Sequence, residues 1–236
     1  MWLFTFYFKR FLIERYGFMV DFWQLTNEGF AAVFSDAQAL TGWEAIAVLL
    51  ALAYLIFAMR GSVWCWPAAL TSTAIYTVLF WKVSLLMESV LNVYYMAMAV
   101  YGYWMWTKGG KAHEGVSIVS WSLSTHIKLI AVTSFISVVI GYFMATQTQA
   151  SFPYLDAATT CFAVMSTFLV AKKVLENWIY WFVIDAVSIY LYVSKGLMLT
   201  AALFVFYVVM VVFGYLMWRK KMHTQQSRIP LSPGIA

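Results

Sequence analysis

The sequence predicts an all-α membrane protein with seven transmembrane helices in a 3+1+3 parallel repeat. Of its 236 residues, 64% are hydrophobic and only 11% are charged, and the mean hydropathy is +0.78. A soluble domain carries about 25% charged residues, so this composition requires a lipid environment. The apolar stretches are continuous and do not alternate, which excludes the strands of a membrane barrel. The composition also excludes a secreted disulfide scaffold, a nucleic-acid-binding domain and a disordered chain.

The N-terminal part of the chain, 1–42, is predicted to form an interfacial segment. Seven charged side chains fall within this segment, which is too many for a transmembrane span. Apolar and charged residues are mixed near its start. We therefore expect an N-terminal amphipathic helix near 2–20 that lies on the membrane surface.

Seven apolar stretches follow, each close to the length of about 20 residues that crosses a bilayer. They are 43–59, 63–81, 85–106, 127–145, 155–171, 178–194 and 197–218. The first three spans form a first repeat over 43–106, and the last three form a second repeat over 155–218. A connector over 107–154 contains the fourth span. The polar residues 219–236 include two prolines and predict a disordered cytoplasmic tail.

The loop charges indicate an orientation. The basic residues after the odd-numbered spans are Arg60, Lys108, Lys111, Lys172, Lys173, Arg219, Lys220 and Lys221. The loops after the even-numbered spans hold only Lys82 and Lys195. Cytoplasmic loops are enriched in lysine and arginine, so the C-terminus is predicted to be cytoplasmic. The basic residues before residue 16 argue for the opposite side, and the placement of residues 1–42 stays open.

An internal repeat accounts for the 3+1+3 arrangement. The shift that places residue 93 on residue 205, here called the repeat offset, aligns 93–106 with 205–218, and eight of the fourteen positions are identical. The shared motif Gly-Tyr-x-Met-Trp ends both segments, and Trp66 aligns with Trp178. Three-helix copies point the same way only if an odd number of helices joins them, and the span 127–145 is that helix. Parallel repeats of this kind form transporters with a site between the repeats near the midplane.

Asp185 lies near the middle of the sixth predicted span. An ionisable side chain at bilayer depth costs about 2.5–3.5 kcal/mol on insertion scales, so it is a candidate for function. Steps of three and four residues place further side chains on the same helix face. They are Trp178, Trp181, Ser188 and Tyr192.

Glu88 is the second ionisable candidate and lies a few residues inside the third span. The same spacing places Asn92 and Tyr95 on its face, and the second span adds Tyr76. An indole face attracts a cation by about 0.5–2 kcal/mol, and a carboxylate would balance the charge. The nine residues together predict a binding site for a small, cationic aromatic solute.

Other interpretations of these residues stay open. Trp178 could anchor its helix at the membrane interface, Glu88 could extend to the outer surface, and Asn92 could bridge two helices. No Walker A pattern, HExxH motif or nucleophile elbow occurs in the sequence, which argues against ATP hydrolysis and against a membrane enzyme. The isolated cysteines and histidines predict no metal site and no cofactor.

Two segments resemble the PnuC family of bacterial vitamin transporters. They are Lys-Lys-Val-Leu-Glu-Asn-Trp-Ile-Tyr-Trp at 172–181, followed by Asp185, and Met-Glu-Ser-Val-Leu-Asn-Val-Tyr-Tyr at 87–95. The resemblance covers 43–218. It implies the plan of the sugar-carrying SWEETs, a homotrimer in the lipid of the bacterial inner membrane, and facilitated diffusion of nicotinamide riboside. It also implies a cytoplasmic kinase that traps the vitamin by phosphorylation.

The resemblance carries substrate binding over to Trp178, Trp181, Asp185 and Asn92. Two of these depart from the nicotinamide riboside carriers, which usually have Asn in place of Asp185 and Gln in place of Asn92. Thiamine lacks the ribose and carboxamide that those amides would suit, so a thiamine transporter is the alternative. A proton-coupled transporter that uses Asp185 and Glu88, and a membrane anchor without a site, are the competing classes.

Overall fold

The protein is an all-helical bundle. The computed structural model describes residues 42–82, 86–110, 113–148, 152–194 and 198–227. Within these ranges the chain forms seven helices. They are α1 (Gly42–Met59), α2 (Cys65–Lys82), α3 (Leu86–Lys108), α4 (Leu123–Gln147), α5 (Pro153–Ala171), α6 (Asn177–Ser194) and α7 (Met198–Ser227). The predicted amphipathic helix near 2–20 lies outside the described residues.

The helix bounds follow the predicted spans closely, apart from the last helix. α7 continues to Ser227, so the prediction of a disordered tail is wrong for residues 219–227. The physical reason is that Arg219-Lys220-Lys221-Met222 are good helix formers and that the first proline comes only at Pro230. The tail beyond Ser227 lies outside the described residues.

Several helices are suited to lipid. Leu123–Gln147, Pro153–Ala171 and Ala201–Gln225 are long and apolar enough to cross a membrane, and Ala45–Met59 is a shorter apolar segment, among the residues the structure describes. The outer face of α4 is apolar and exposed, with Leu123 75% and Phe135 71% accessible. A helix that exposes apolar side chains of this size belongs in a bilayer.

The helices pack as two units and a connector. In the first unit, α1–α3, helix α2 contacts both α1 and α3, and in the second unit, α5–α7, helix α6 contacts both α5 and α7. Two seams join the units, one between α1 and α7 and one between α3 and α5. Helix α4 packs on α5.

The turn after α1 and the turn after α5 have the same hydrogen bonds. Gly61 N donates to Ala58 O over 2.8 Å, and Lys173 N donates to Val170 O over 2.9 Å. Both Gly61 (φ 63°) and Lys173 (φ 51°) adopt the left-handed conformation that ends a helix. The repeat offset that aligns Trp66 with Trp178 also aligns Gly61 with Lys173, so the two turns correspond at that offset.

The glycines of the Gly-Tyr-x-Met-Trp motif provide space for tryptophan rings. A Cβ added at Gly102 would overlap the Trp66 ring, and one added at Gly214 would lie 2.6 Å from the Trp178 ring. Both glycines are therefore sites of close helix approach rather than flexible points. This contact holds α2 against α3 and α6 against α7 at the same end of each unit.

Glu176 attaches the connector to the second unit. Its carboxylate accepts hydrogen bonds from the Ser120 hydroxyl and from Trp121 N, the latter over 3.3 Å. His126 in the first turn of α4 shares a 2.9 Å hydrogen bond with the Tyr180 hydroxyl and lies 3.5 Å from Glu176. Charge-assisted hydrogen bonds of this kind are stronger than neutral ones. They fix the start of α4 to α6 and to the α5–α6 turn.

Candidate functional site

A cavity of about 190 Å³ lies among α1, α5, α6 and α7. Helix α6 contributes Trp178, Trp181 and Asp185. The opposite walls include Tyr54 of α1 and Tyr207 of α7, and the remaining lining side chains are apolar. A cavity with aromatic walls and one acidic group is suited to a flat organic ligand that carries positive charge.

The three α6 side chains reach the cavity because of their helical spacing. Asp185 is 3% exposed and Trp178 is 2% exposed, whereas the intervening Phe182 and Val183 are 42% and 55% exposed. Steps of three and four residues therefore separate an inward face from a lipid-facing one. This arrangement is the one that the sequence predicts for this helix.

Asp185 lies in an apolar environment and needs a partner. Among the described residues, no lysine, arginine or histidine forms an ion pair with it. Tyr207 lies close to Asp185 and to Tyr76. A buried carboxylate is costly unless a cation or a hydrogen-bond donor faces it. Asp185 can therefore hold either a bound cation or a donor group of a ligand.

Trp178 is enclosed by the protein. Its ring meets the Trp218 ring edge-on, with centroids 5.4 Å apart and planes at 90°. One side of the ring packs against Gly214. Its Nε1 has no hydrogen-bond partner in the described part of the chain. The position is that of a bundle-interior side chain, which excludes the interpretation of Trp178 as an exposed interfacial anchor.

Three predicted site residues lie near the cavity but not in its lining. Tyr95 is close to the cavity residue Tyr54, and Tyr76 is close to Tyr207. The Tyr192 ring packs on the cavity residue Phe204, with centroids 5.1 Å apart. These tyrosines can support the walls, but they do not line the cavity in this conformation.

The remaining predicted residues are not in the cavity lining. Asn92 and Ser188 are 8% and 6% exposed, and both are buried elsewhere in the bundle. Polarity and helical spacing therefore do not predict which side chains line the cavity. The polar groups of Asn92 and Ser188 are suited to helix packing instead. Glu88 lies in the first turns of α3, and its side chain is outside the described atoms.

Sequence reasoning missed the contributions of α1 and α7. Tyr54 and Tyr207 line the cavity, together with Phe204. A signal for one of them was present, because Tyr207 aligns with the predicted site residue Tyr95 at the repeat offset. Within the described residues no group of three histidine, cysteine or acidic side chains could hold a metal ion.

The sequence matches one protein family over most of its length. The profile described as "Nicotinamide mononucleotide transporter" matches residues 41–220. The nicotinamide riboside transporter PnuC of Escherichia coli (strain K12) is 18% identical over 184 residues, which cover 67% of this chain and 77% of that protein. The riboflavin/roseoflavin transporter RibM of Streptomyces davaonensis is 25% identical over 174 residues, which cover 72% and 81%.

A solved structure has the same fold. The crystal structure of the vitamin B3 transporter PnuC superposes with a TM-score of 0.64 and 20% sequence identity. The match covers 86% of this chain and 92% of that chain. The all-helical architecture described above is therefore that of a known membrane transporter fold.

Proposed function

Because the chain belongs to the nicotinamide mononucleotide transporter family, the PnuC family of vitamin transporters, we propose that it carries nicotinamide riboside, or a closely similar cationic aromatic vitamin, across a bacterial inner membrane. Family membership makes it a membrane transporter and not an enzyme. In the proposal, Trp181 stacks on the vitamin ring and Asp185 opposes its positive charge.

The observation that carries this proposal is the environment of Asp185. Its carboxylate is 3% exposed in an aromatic cavity, and no basic side chain pairs with it in the described residues. A cationic ring would supply the missing charge and would stack on the indole at the same time. A neutral ligand would leave the carboxylate without a counter-ion.

The cavity must widen to admit the vitamin. Its volume of about 190 Å³ is below the range of about 300–1,000 Å³ that is usual for pockets that enclose drug-sized ligands. We propose that the walls separate as the two units move, and that Asn92 of the first unit then bonds the polar part of the vitamin. Access would alternate between the two sides of the membrane around this site.

The proposal includes the 3+1+3 parallel repeat. The matching turns after α1 and α5, and the matching tryptophan–glycine contacts, recur at the repeat offset and support it. The positive loop charges support a cytoplasmic C-terminus. A homotrimer and a trapping kinase are further expectations of the PnuC resemblance.

Two other vitamins, thiamine and riboflavin, are the alternative substrates. Thiamine is also a cationic aromatic vitamin, and Asp185 suits it as well as it suits nicotinamide riboside. RibM, the 25% identical relative, is named for riboflavin. Riboflavin has a neutral ring system, so it would gain nothing from the charge of Asp185, whereas the two cations would.

Calorimetric titration of the purified protein with the three vitamins tests the proposal. We expect Asp185→Asn to shift the binding preference from thiamine toward nicotinamide riboside by about ten-fold or more, because the nicotinamide riboside carriers that this chain resembles usually have Asn at this position and a buried charge pair is worth about 2–5 kcal/mol. Asp156→Asn is the matched control, since Asp156 lies in the first turn of α5 and does not line the cavity. An unchanged preference in Asp185→Asn would refute the role of Asp185 in substrate choice, and binding of riboflavin alone would overturn the assignment.

A further inference from the structure

Four tryptophans form a continuous cluster at one end of the bundle. The rings of Trp66 and Trp106 lie edge-to-face with centroids 5.3 Å apart, and Trp178 and Trp218 do so at 5.4 Å. The Trp106 and Trp218 rings connect the two pairs, with centroids 5.9 Å apart. All four rings are at most 3% exposed. The cluster therefore crosses from the first unit to the second without a gap.

The cluster adjoins one end of the cavity. Trp178 belongs both to the cluster and to the cavity lining. Ala58 and Val170, at the ends of α1 and α5, also line the cavity. These residues adjoin the turns that carry the positively charged side chains Arg60, Lys172 and Lys173. The cluster therefore lies at the basic end of the cavity.

Two indole N–H groups of the cluster form hydrogen bonds across the seams. Trp106 Nε1 of the first unit donates to Val170 O and Ala171 O of the second unit, each over 3.2 Å. Trp218 Nε1 of the second unit donates to Ala58 O of the first unit over 2.9 Å. At the repeat offset, Trp106 aligns with Trp218 and Ala58 aligns with Val170. Each unit therefore donates from one position of the repeat to the corresponding carbonyl of the other unit.

A lysine reinforces each of these connections. The Lys173 ammonium, in the turn after α5, lies 4.5 Å from the centroid of the Trp106 ring on α3. At the other seam, the Lys221 ammonium of α7 donates to Arg60 O after α1. In contrast, Nε1 of Trp66 and Nε1 of Trp178 have no partner in the described part of the protein. The cross-unit bonds are thus specific to Trp106 and Trp218.

We propose that Trp106 and Trp218 are positioning residues for transport, whose indole N–H bonds latch the two units closed at the basic end of the cavity and release in each transport cycle. This inference rests on the proposed transport function. It assigns to the two tryptophans of the Gly-Tyr-x-Met-Trp motif a gating role that is separate from substrate binding. A packing role alone would need the rings and not the N–H groups.

Cysteine accessibility tests the latch without any vitamin. The full chain, with Cys65 and Cys161 replaced by serine or alanine, receives a single reporter cysteine by Val211→Cys in the cavity wall. Vesicles of each orientation are treated with a membrane-impermeant methanethiosulfonate reagent. The variant Trp106→Phe keeps a ring and loses the N–H group. We expect it to raise the modification rate from the basic end by at least about three-fold.

The controls separate a latch from packing and from substrate binding. Trp66→Phe makes the same reduction in a buried ring of the cluster whose Nε1 has no partner in the described residues, and it should leave the rate unchanged. Lys173 lies in the turn after α5, outside the helices. Lys173→Met removes the cation over the Trp106 ring and should raise the modification rate, as Trp106→Phe does. Equal modification rates in the parent protein and its three variants would overturn the proposed latch. Because no vitamin is present, that result would leave the proposed substrate site standing, and failure to bind vitamins would leave the latch standing.

Discussion

Trp178 and Trp181 are one helical turn apart on α6, yet their surroundings differ. The Trp178 ring is 2% exposed, packs against Gly214 on one side and meets Trp218 at 90°, so little of its surface is left for a ligand. Trp181 is only half-buried and lines the cavity. At the residue scale, the indole that is free to meet a ligand ring is therefore the one beside Asp185.

Replacement of this indole should affect binding rather than folding. Trp181→Ala is expected to weaken vitamin binding by about ten-fold or more, because aromatic stacking contributes about 1–3 kcal/mol per ring in comparable sites. Titration calorimetry measures the affinity, and size-exclusion chromatography checks the fold. Trp64→Ala, at a 70% exposed ring outside the cavity, is the control. Wild-type affinity in Trp181→Ala would refute the stacking role.

The acidic and indole residues of α6 could be predicted because they are rare in lipid or follow a helical spacing. The cavity residue Tyr54 could not be predicted, because aromatic residues make up 19% of the chain and an additional tyrosine carries no signal. Tyr207 could be found only through its alignment with Tyr95 at the repeat offset. Polarity predicts Asn92 as a binding residue, but polar side chains in a membrane bundle also serve helix packing. Only the contacts with the neighbouring helix show whether such a side chain binds substrate or packs between helices.

At the scale of the helix, one short motif combines two contacts. Gly102 and Gly214 accept the tryptophan ring of the preceding helix, and Trp106 and Trp218, one turn later, bond across to the other unit. Small residues permit close helix approach in membranes. The motif therefore sets both the packing within a unit and the contact between units.

Gly214→Ala should destabilise the protein. The added Cβ would lie 2.6 Å from the Trp178 ring, which is itself packed against Trp218, so the ring has little freedom to move. We expect the free energy of unfolding to fall by about 1–3 kcal/mol, as in other overpacked interiors. Thermal unfolding in detergent measures the change. Gly42→Ala, where an added Cβ meets nothing within 4 Å, should be tolerated, and equal stability of the two variants would contradict this packing.

The helix bounds were predictable because length and hydropathy set them, and the predicted spans agree with the helices. The extension of α7 to Ser227 could not be predicted in this way. Charged residues mark the end of the apolar region, but they do not mark the end of the helix. Arg219 and the two lysines that follow favour helix as strongly as apolar residues do.

At the scale of the molecule, the two units meet through their α1–α7 and α3–α5 seams, and these pairings could not be predicted. Lipid tails are as apolar as the side chains at a helix contact, so hydropathy does not distinguish a seam from the outer surface. The repeat offset predicted which helices correspond, whereas the hydrogen bonds from Trp106 and Trp218 show where the units touch.

Uptake by the whole protein should need no energy source. In proteoliposomes without any kinase, we expect the radiolabelled vitamin to equilibrate along its gradient with saturable kinetics. The rate should be the same with and without a protonophore, because facilitated diffusion couples to no ion. Liposomes with Trp181→Ala provide the control. Protonophore-sensitive uptake would instead favour the proton-coupled class, with Asp185 as the relay.

The attachment of α4 makes the two halves of the bundle mechanically unequal. Glu176 and the His126–Tyr180 bond fasten this helix to the second unit, where it packs on α5. The second unit is thus a body of four helices and the first a body of three. If the two units move as proposed, we expect the α1–α3 body to move against the larger body that contains α4.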